Sequence, residues 1–127
     1  MPDVRFPVDV IQGIPVVATP EEIDITNATE LRTALLAASA DGPPTIVVDM
    51  TRTLFCDSAG LHALVAAHRR ARPEGGAVVL AVSAEAVLRI LALTGLGAVI
   101  PNFTTLEEAL AQTAGAANPA QRPSGPA

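Results

Sequence analysis

The hydrophobic residues fall into short runs that predict strands and into three- and four-residue spacings that predict helices. Val4–Ile11 and Ile14–Ala18 are rich in Val and Ile, and they predict two successive strands. Thr45–Met50 and Ala77–Val82 are nearly continuous apolar runs, which are typical of central strands covered on both faces. Ala98–Ile100 predicts a further short strand or extended segment.

Four helices are predicted between and after these strands, each beginning at a residue whose side chain can accept a hydrogen bond from the free N–H groups of a first turn. In chain order the predicted starts are Asn27, Asp57-Ser58, Ser83 and Thr104. Glu30 and Glu107 follow the first and last starts at the three-residue spacing of a capping box. Asp41-Gly42-Pro43-Pro44 is expected to end the first helix.

This order of elements predicts an α/β fold. Strands that alternate with helices in the second half favour parallel pairing, whereas the two successive strands at the start favour an antiparallel edge. We therefore expect a single domain over residues 1–114, with a mixed central sheet of four to five strands and about four helices. Residues 115–127 are rich in Ala, Pro, Gly, Ser and Gln, and they predict a flexible tail.

The amino-acid composition excludes several classes of function. The 127 residues carry a net charge of −5, include no Lys, and contain only three aromatic residues, all Phe. An acidic chain with few rings lacks the charge and stacking surfaces that nucleic-acid binding uses, so we expect no nucleic-acid partner. Because no apolar run is long enough to span a bilayer and no signal peptide is evident, we expect a cytoplasmic protein without membrane contact. The lone Cys56 agrees with a reducing compartment.

Ser58 lies at a strand-to-helix turn, where a hydrolase would place its nucleophile. Such a turn requires Gly two residues before the serine and two residues after it. Gly60 fits, but Cys56 occupies the earlier position. The two histidines, His62 and His68, follow on the same predicted helix, whereas a hydrolase brings its base from elsewhere in the fold. We therefore predict no catalytic residue, and a protein that is not an enzyme.

Metal and cofactor sites are not predicted either. His62 and His68 are six residues apart, which puts them on different faces of a helix, and Cys56 has no partner at ligand spacing. We interpret both histidines as ordinary helix-surface residues. We expect Cys56 to be a small buried hydrophobe, because the neighbouring Asp57 raises a thiol pKa. No Gly-Lys-Ser/Thr phosphate loop is present, and no cofactor is expected.

The segment Asp57-Ser58-Ala59-Gly60-Leu61 has two interpretations. Asp57 or Ser58 could simply cap the helix. Alternatively, the nearly bare first turn, which gives up about 1 kcal/mol of helix propensity at Gly60, could let another protein approach the serine closely. A helix N-terminus also suits a phosphate. The residues alone leave both interpretations open.

At these residues the sequence resembles the STAS domain of bacterial anti-sigma factor antagonists, from about Val4 to Ala114. The segments that carry the resemblance are Glu22-Ile23-Asp24, Val47-Val48-Asp49, Asp57-Ser58-Ala59-Gly60-Leu61 and Leu93-Thr94-Gly95-Leu96. One departure is Glu21, which stands where the family usually has Gly and adds negative charge near the expected interface.

The resemblance implies a phosphorylation switch in bacterial transcription, of the kind used in stress response and sporulation. Ser58 would be phosphorylated by an anti-sigma factor serine kinase. The unphosphorylated form would bind that kinase and release a sigma factor, and a metal-dependent serine phosphatase would reset the switch. The implied partner-binding residues are Asp24, Asp57, Ser58, Ala59, Gly60 and Leu61. The alternative is a STAS-type module that handles a ligand or lipid in a groove between sheet and helix, with Ser58 as a structural cap.

Overall fold

A computed structural model of the protein describes residues 5–40 and 45–117. Its strands, in chain order, are β1 (Val8–Ile11), β2 (Ile14–Ala18), β3 (Glu22–Ile23), β4 (Ile46–Met50), β5 (Phe55–Cys56), β6 (Val78–Val82) and β7 (Asn102–Phe103). Its helices are α1 (Ala28–Ala40), α2 (Ser58–Ala71), α3 (Glu85–Thr94) and α4 (Leu106–Ala117). The prediction of an α/β fold with a mixed sheet and four helices is confirmed.

Five strands form the main sheet in the order β1-β2-β4-β6-β7. β1 and β2 are an antiparallel hairpin, whose turn places Gln12 and Gly13 at φ of 55° and 79°. Two successive positive φ values match the right-handed twist of the paired strands. The remaining neighbours in this sheet pair in parallel, with a helix in each of the crossovers from β2 to β4 to β6.

Both faces of the central strands are buried, which explains their nearly continuous apolar runs. Val48 and Leu80 pack with α1, α2 and α3, whereas their neighbours Val47 and Val79 pack on the opposite face against α4. Since side chains alternate along a strand, a sheet covered on both sides favours an apolar residue at almost every position, and Asp49 near the end of β4 is the exception there. The core thus consists of two aliphatic layers separated by one sheet.

A second, two-stranded sheet positions the candidate site. β3 and β5 pair in parallel, with Ile23 opposite Cys56. The Asp57 N–H then donates to the Ile23 carbonyl at 3.0 Å. Because parallel strands end at the same edge, the loop that follows β3 and the start of α2 lie side by side.

The predicted strand limits are wrong at two places. β1 begins at Val8, after Pro7, and Val4 lies outside the described residues. Ala98–Ile100 is not a strand, because Gly95 turns the chain at φ 78° into a short 3₁₀ helix at Leu96–Ala98. The next strand is β7, which pairs with β6 in parallel.

The capping box predicted for the first helix does not form. Asn27 Oδ1 instead accepts from the N–H of Asp24 at 2.9 Å, and Asn27 Nδ2 donates to the Glu22 carbonyl at 2.9 Å. Glu30 is exposed and pairs with Arg5 at 3.6 Å. Asn27 therefore fixes the loop before α1. The predicted end of this helix, at residues 41–44, lies outside the described residues.

The later helix starts also differ from the prediction. Ser83 Oγ donates to the Thr104 carbonyl at 2.9 Å, and Ala84 precedes α3 without a side-chain cap. The last helix is capped by Thr105, whose Oγ1 accepts from the Glu108 N–H at 3.1 Å, so the prediction of Thr104 with Glu107 was one residue early. α4 continues to Ala117, three residues into the predicted tail, because its Ala-rich end favours helix. Residues 118–127 lie outside the described part of the chain.

His68 is buried, and the prediction of a surface histidine was wrong. Its Nδ1 accepts from the Val78 N–H at 3.1 Å, which joins α2 to the start of β6. Burial, and next the positive charge of Arg72, lower the pKa of His68 below its ordinary value of 6.5. A neutral imidazole fits this role, since a protonated Nδ1 cannot accept a hydrogen bond.

This contact predicts a loss of stability in mild acid. Because the pKa of His68 is lower in the folded chain, the unfolded chain binds the proton more tightly, and the free energy of unfolding falls as the pH drops below 6.5. Urea denaturation at a series of pH values between about 5 and 7.5 should show this slope. The slope should disappear in His68→Asn and persist in His62→Asn, which removes the exposed histidine. Equal slopes in all three proteins would contradict the assignment.

Candidate functional site

Asp57 organises the junction between β5 and α2. Its Oδ1 accepts from the N–H groups of Ala59 at 2.9 Å and Gly60 at 3.2 Å, so Asp57 is the N-cap of α2. Its Oδ2 accepts from the Ile25 N–H at 3.2 Å. One carboxylate therefore caps the helix and also ties it to the loop after β3.

Ser58 is the first residue of α2 and is exposed. Its hydroxyl makes no hydrogen bond to any residue in the described ranges 5–40 and 45–117. Of the two cap residues suggested by the sequence, Asp57 has that role and Ser58 does not. The Ser58 hydroxyl is thus held on a fixed backbone and remains free to react with an external group.

Asp24 lies in the neighbouring loop, half-buried. Its Oδ1 accepts from both the hydroxyl and the N–H of Thr26. The hydroxyl bond is the main cause that lowers the pKa of Asp24, followed by the N–H bond, with a smaller effect of the Arg5 charge. Asp24 therefore carries its negative charge on the loop that Asp57 ties to α2.

Gly60 and Leu61 point inward, unlike the rest of the predicted partner-binding set. Leu61 is 6% exposed and belongs to the core. A Cβ added at Gly60 would lie 2.6 Å from Ile23 Cγ2 and 2.7 Å from Cys56 Sγ. Gly60 is thus needed for close packing of α2 on the small sheet. Ala59, half-buried, is left with Ser58 at the surface of this turn.

Three large hydrophobic side chains are exposed on the segments around Ser58. They are Ile25 at 79%, Leu54 at 59% and Phe55 at 48%. Ile25 adjoins the Asp57 carboxylate, and Leu54 and Phe55 both donate their N–H groups to the Glu21 carbonyl. We call Ile25, Leu54, Phe55 and Ser58 the Ser58 patch. The three apolar members of this patch were not predicted from the sequence.

A family model for the STAS domain matches residues 5–109. The chain belongs to the STAS domain family.

Solved structures agree with this assignment. An anti-sigma factor antagonist from Mycobacterium paratuberculosis is 33% identical, with a TM-score of 0.79 over 86% of this chain and 92% of that one. The protein TM1081 of Thermotoga maritima is 23% identical, with a TM-score of 0.79 over 86% and 94%. SpoIIAA of Bacillus has been solved unphosphorylated (23% identity, TM-score 0.73, 87% and 96% covered) and phosphorylated (22% identity, TM-score 0.65, 84% and 97% covered).

Two of the other candidate groups in this STAS domain, Cys56 and His68, are buried in structural roles. Cys56 is fully buried, and burial together with the Asp57 charge raises its thiol pKa to about 12. His68 is engaged with Val78, while His62 is exposed on α2. Among residues 5–40 and 45–117, no three His, Cys, Asp or Glu side chains are grouped as metal ligands, and no helix could cross a bilayer.

The close approach at Gly60 predicts a cost for adding a methyl group. Gly60→Ala should lower the free energy of unfolding by about 1–3 kcal/mol, as overpacked core substitutions do. The control is Gly97→Ala, where the new Cβ would meet Leu91 Cβ at an ordinary 3.6 Å. Urea denaturation of both variants should show the loss in Gly60→Ala alone. Wild-type stability in Gly60→Ala would show that this packing is not tight.

Proposed function

We propose that this STAS domain is an anti-sigma factor antagonist that works by partner switching in the bacterial cytoplasm. Its unphosphorylated form binds an anti-sigma factor serine kinase, and a sigma factor is thereby released. Phosphorylation of Ser58 by that kinase ends the binding, and a metal-dependent serine phosphatase restores it. The proposal involves protein partners only, with neither nucleic acid nor membrane.

The observation that carries the proposal is the Ser58 patch. The Ser58 hydroxyl, exposed and without a hydrogen bond to the described residues, follows the exposed Leu54 and Phe55 by four and three residues. Ile25, which is 79% exposed, donates its N–H to the neighbouring Asp57. Apolar side chains next to a modifiable group favour a surface that another protein covers. The polar residues of the site fit the same role, since Asp57 and Asp24 use their carboxylates to fix the backbone around the serine.

The relatives support this role. The Mycobacterium paratuberculosis protein, 33% identical, is an anti-sigma factor antagonist. SpoIIAA, also an anti-sigma factor antagonist, exists in unphosphorylated and phosphorylated forms. We extend both the partner class and the phosphorylation to this chain, with Ser58 as the acceptor.

Electrostatics explain how one phosphate could switch the binding. A phosphoserine adds about −1.5 to −2 charges at pH 7. On the free domain, water and the N-terminal end of α2 accommodate it. Under a docked partner the same group would lose its water beside Asp57, and an uncompensated buried charge costs roughly 3–5 kcal/mol. Since about 1.4 kcal/mol is tenfold in affinity, binding should fall by orders of magnitude.

The first test of the proposal is intact mass after incubation with ATP and the cognate kinase. We expect one added phosphoryl group on the wild-type chain and none on Ser58→Ala, because Ser58 is exposed and its hydroxyl is free. Ser83→Ala is the matched control, since Ser83 is also an exposed serine before a helix. Phosphorylation that persists in Ser58→Ala would overturn the choice of Ser58. An unmodified chain that copurifies with a lipid or small ligand would favour the alternative module.

The second test separates binding from folding. Ser58→Asp should abolish kinase binding, while Ser58→Ala should bind whether or not ATP is present. Both variants should keep a thermal midpoint near that of the wild type, because the side chain at this position is exposed. Ser83→Asp controls for an added charge elsewhere. Surface plasmon resonance with the immobilised kinase gives the affinities, and wild-type affinity in Ser58→Asp would contradict the switch.

A further inference from the structure

A groove runs between α1 and α2 beside the Ser58 patch. It holds about 230 Å³ and begins next to Ser58, at Ala59. The groove residues that bear on charge are Arg32 from α1 and His62 from α2. Both side chains are exposed, and neither makes a hydrogen bond or ion pair within the described residues.

His62 lies one helical turn after Ser58. Residues at positions i and i+4 of a helix are neighbours, with Cβ atoms about 5–6 Å apart. Side chains on a helix lean toward its N-terminus, so the His62 side chain extends over the turn that carries Ser58. A group attached to the Ser58 hydroxyl would therefore meet the imidazole before any other side chain further along α2.

Arg32 approaches the same region from α1. Arg32 lines the same groove as Ala59 and His62, so its side chain borders the space next to the serine turn. The other charged groups near this turn, Asp24 and Asp57, are acidic and already accept hydrogen bonds. A new negative charge on Ser58 would be repelled on the Asp24 side and attracted on the groove side.

We propose that Arg32 and His62 hold the phosphoryl group of phosphorylated Ser58 at the mouth of this groove, within the same molecule. This rests on the proposed phosphorylation of Ser58 and adds its structural consequence. The phosphoserine would be drawn from the Ser58 patch toward the groove, where two donors replace part of its hydration. The interaction is ion pairing and hydrogen bonding, with no covalent change. Phosphorylation would then both charge the patch and occupy the groove.

The test needs phosphoserine at position 58 but no kinase. Phosphoserine can be introduced there during synthesis, and its single ³¹P signal titrated with pH in the full chain. The phosphate should titrate below its ordinary pKa of about 6. Arg32→Gln and His62→Asn should each raise that value by roughly 0.2–0.4 units, the shift that corresponds to one helix-surface ion pair. Arg69→Gln should leave it unchanged, since Arg69 lies about 16 Å further along α2, beyond the screening length.

Each result of this titration either supports or overturns the proposal. Upward shifts in both groove variants and none in Arg69→Gln support the proposal. A phosphate that titrates equally in all four proteins, or that shifts in only one groove variant, overturns it and leaves the helix N-terminus as its holder. An equal shift in Arg69→Gln overturns it too, because net charge alone would then explain the effect. Failure of the kinase to label Ser58 would count against the proposed function and would not affect this titration.

Discussion

The Asp57 carboxylate is the contact on which the arrangement of the site depends. It accepts N–H groups from the first turn of α2 and from Ile25, so a single side chain joins a helix to a loop that precedes it by more than thirty residues. Each such charge-assisted bond contributes about 1.5–3 kcal/mol. Without it, two N–H groups at the start of the helix would lose their partner, and the Asp24 loop would no longer be fixed beside Ser58.

The tight fit below Gly60 complements this cap. The backbone of α2 at Gly60 packs directly against Ile23 and Cys56. The first turn of α2 therefore cannot move closer to the small sheet or change its angle to it. The position of Ser58 above the small sheet is therefore set by packing of the Gly60 backbone against two buried side chains, Ile23 and Cys56. The Cys56 thiol, held protonated by burial, acts here as packing volume.

Much of the fold could be predicted because its three central strands, β2, β4 and β6, are nearly continuous apolar runs with clear breaks. Residues whose role depends on distant neighbours could not. His68 reads as a polar residue on a helix, and only the position of β6 shows that it accepts a buried N–H. Ala98–Ile100 has strand composition. Its conformation is set instead by the turn at Gly95 and by backbone hydrogen bonds to the Leu96 carbonyl. The sequence does not distinguish Thr104 from Thr105 as the N-cap, because the choice depends on where the axis of the last helix lies.

The candidate site, like the fold, could be predicted from the sequence only in part. Asp57, Ser58 and the bare first turn are visible as a local motif. The inward direction of Gly60 and Leu61 is not, because it depends on how α2 packs on the small sheet. Ile25, Leu54 and Phe55 lie in segments that have neither strand alternation nor helix spacing. Isolated apolar residues next to a predicted site are the signal that could have found them.

The two anchors of α2 have a consequence for how a signal can travel. Asp57 holds the start of the helix and His68 holds it, ten residues after Ser58, to the main sheet. A helix fixed at both points cannot slide or rotate without breaking the hydrogen bonds of Asp57 and His68. A change at the Ser58 side chain should therefore alter the surface around it without moving α2 relative to the main sheet.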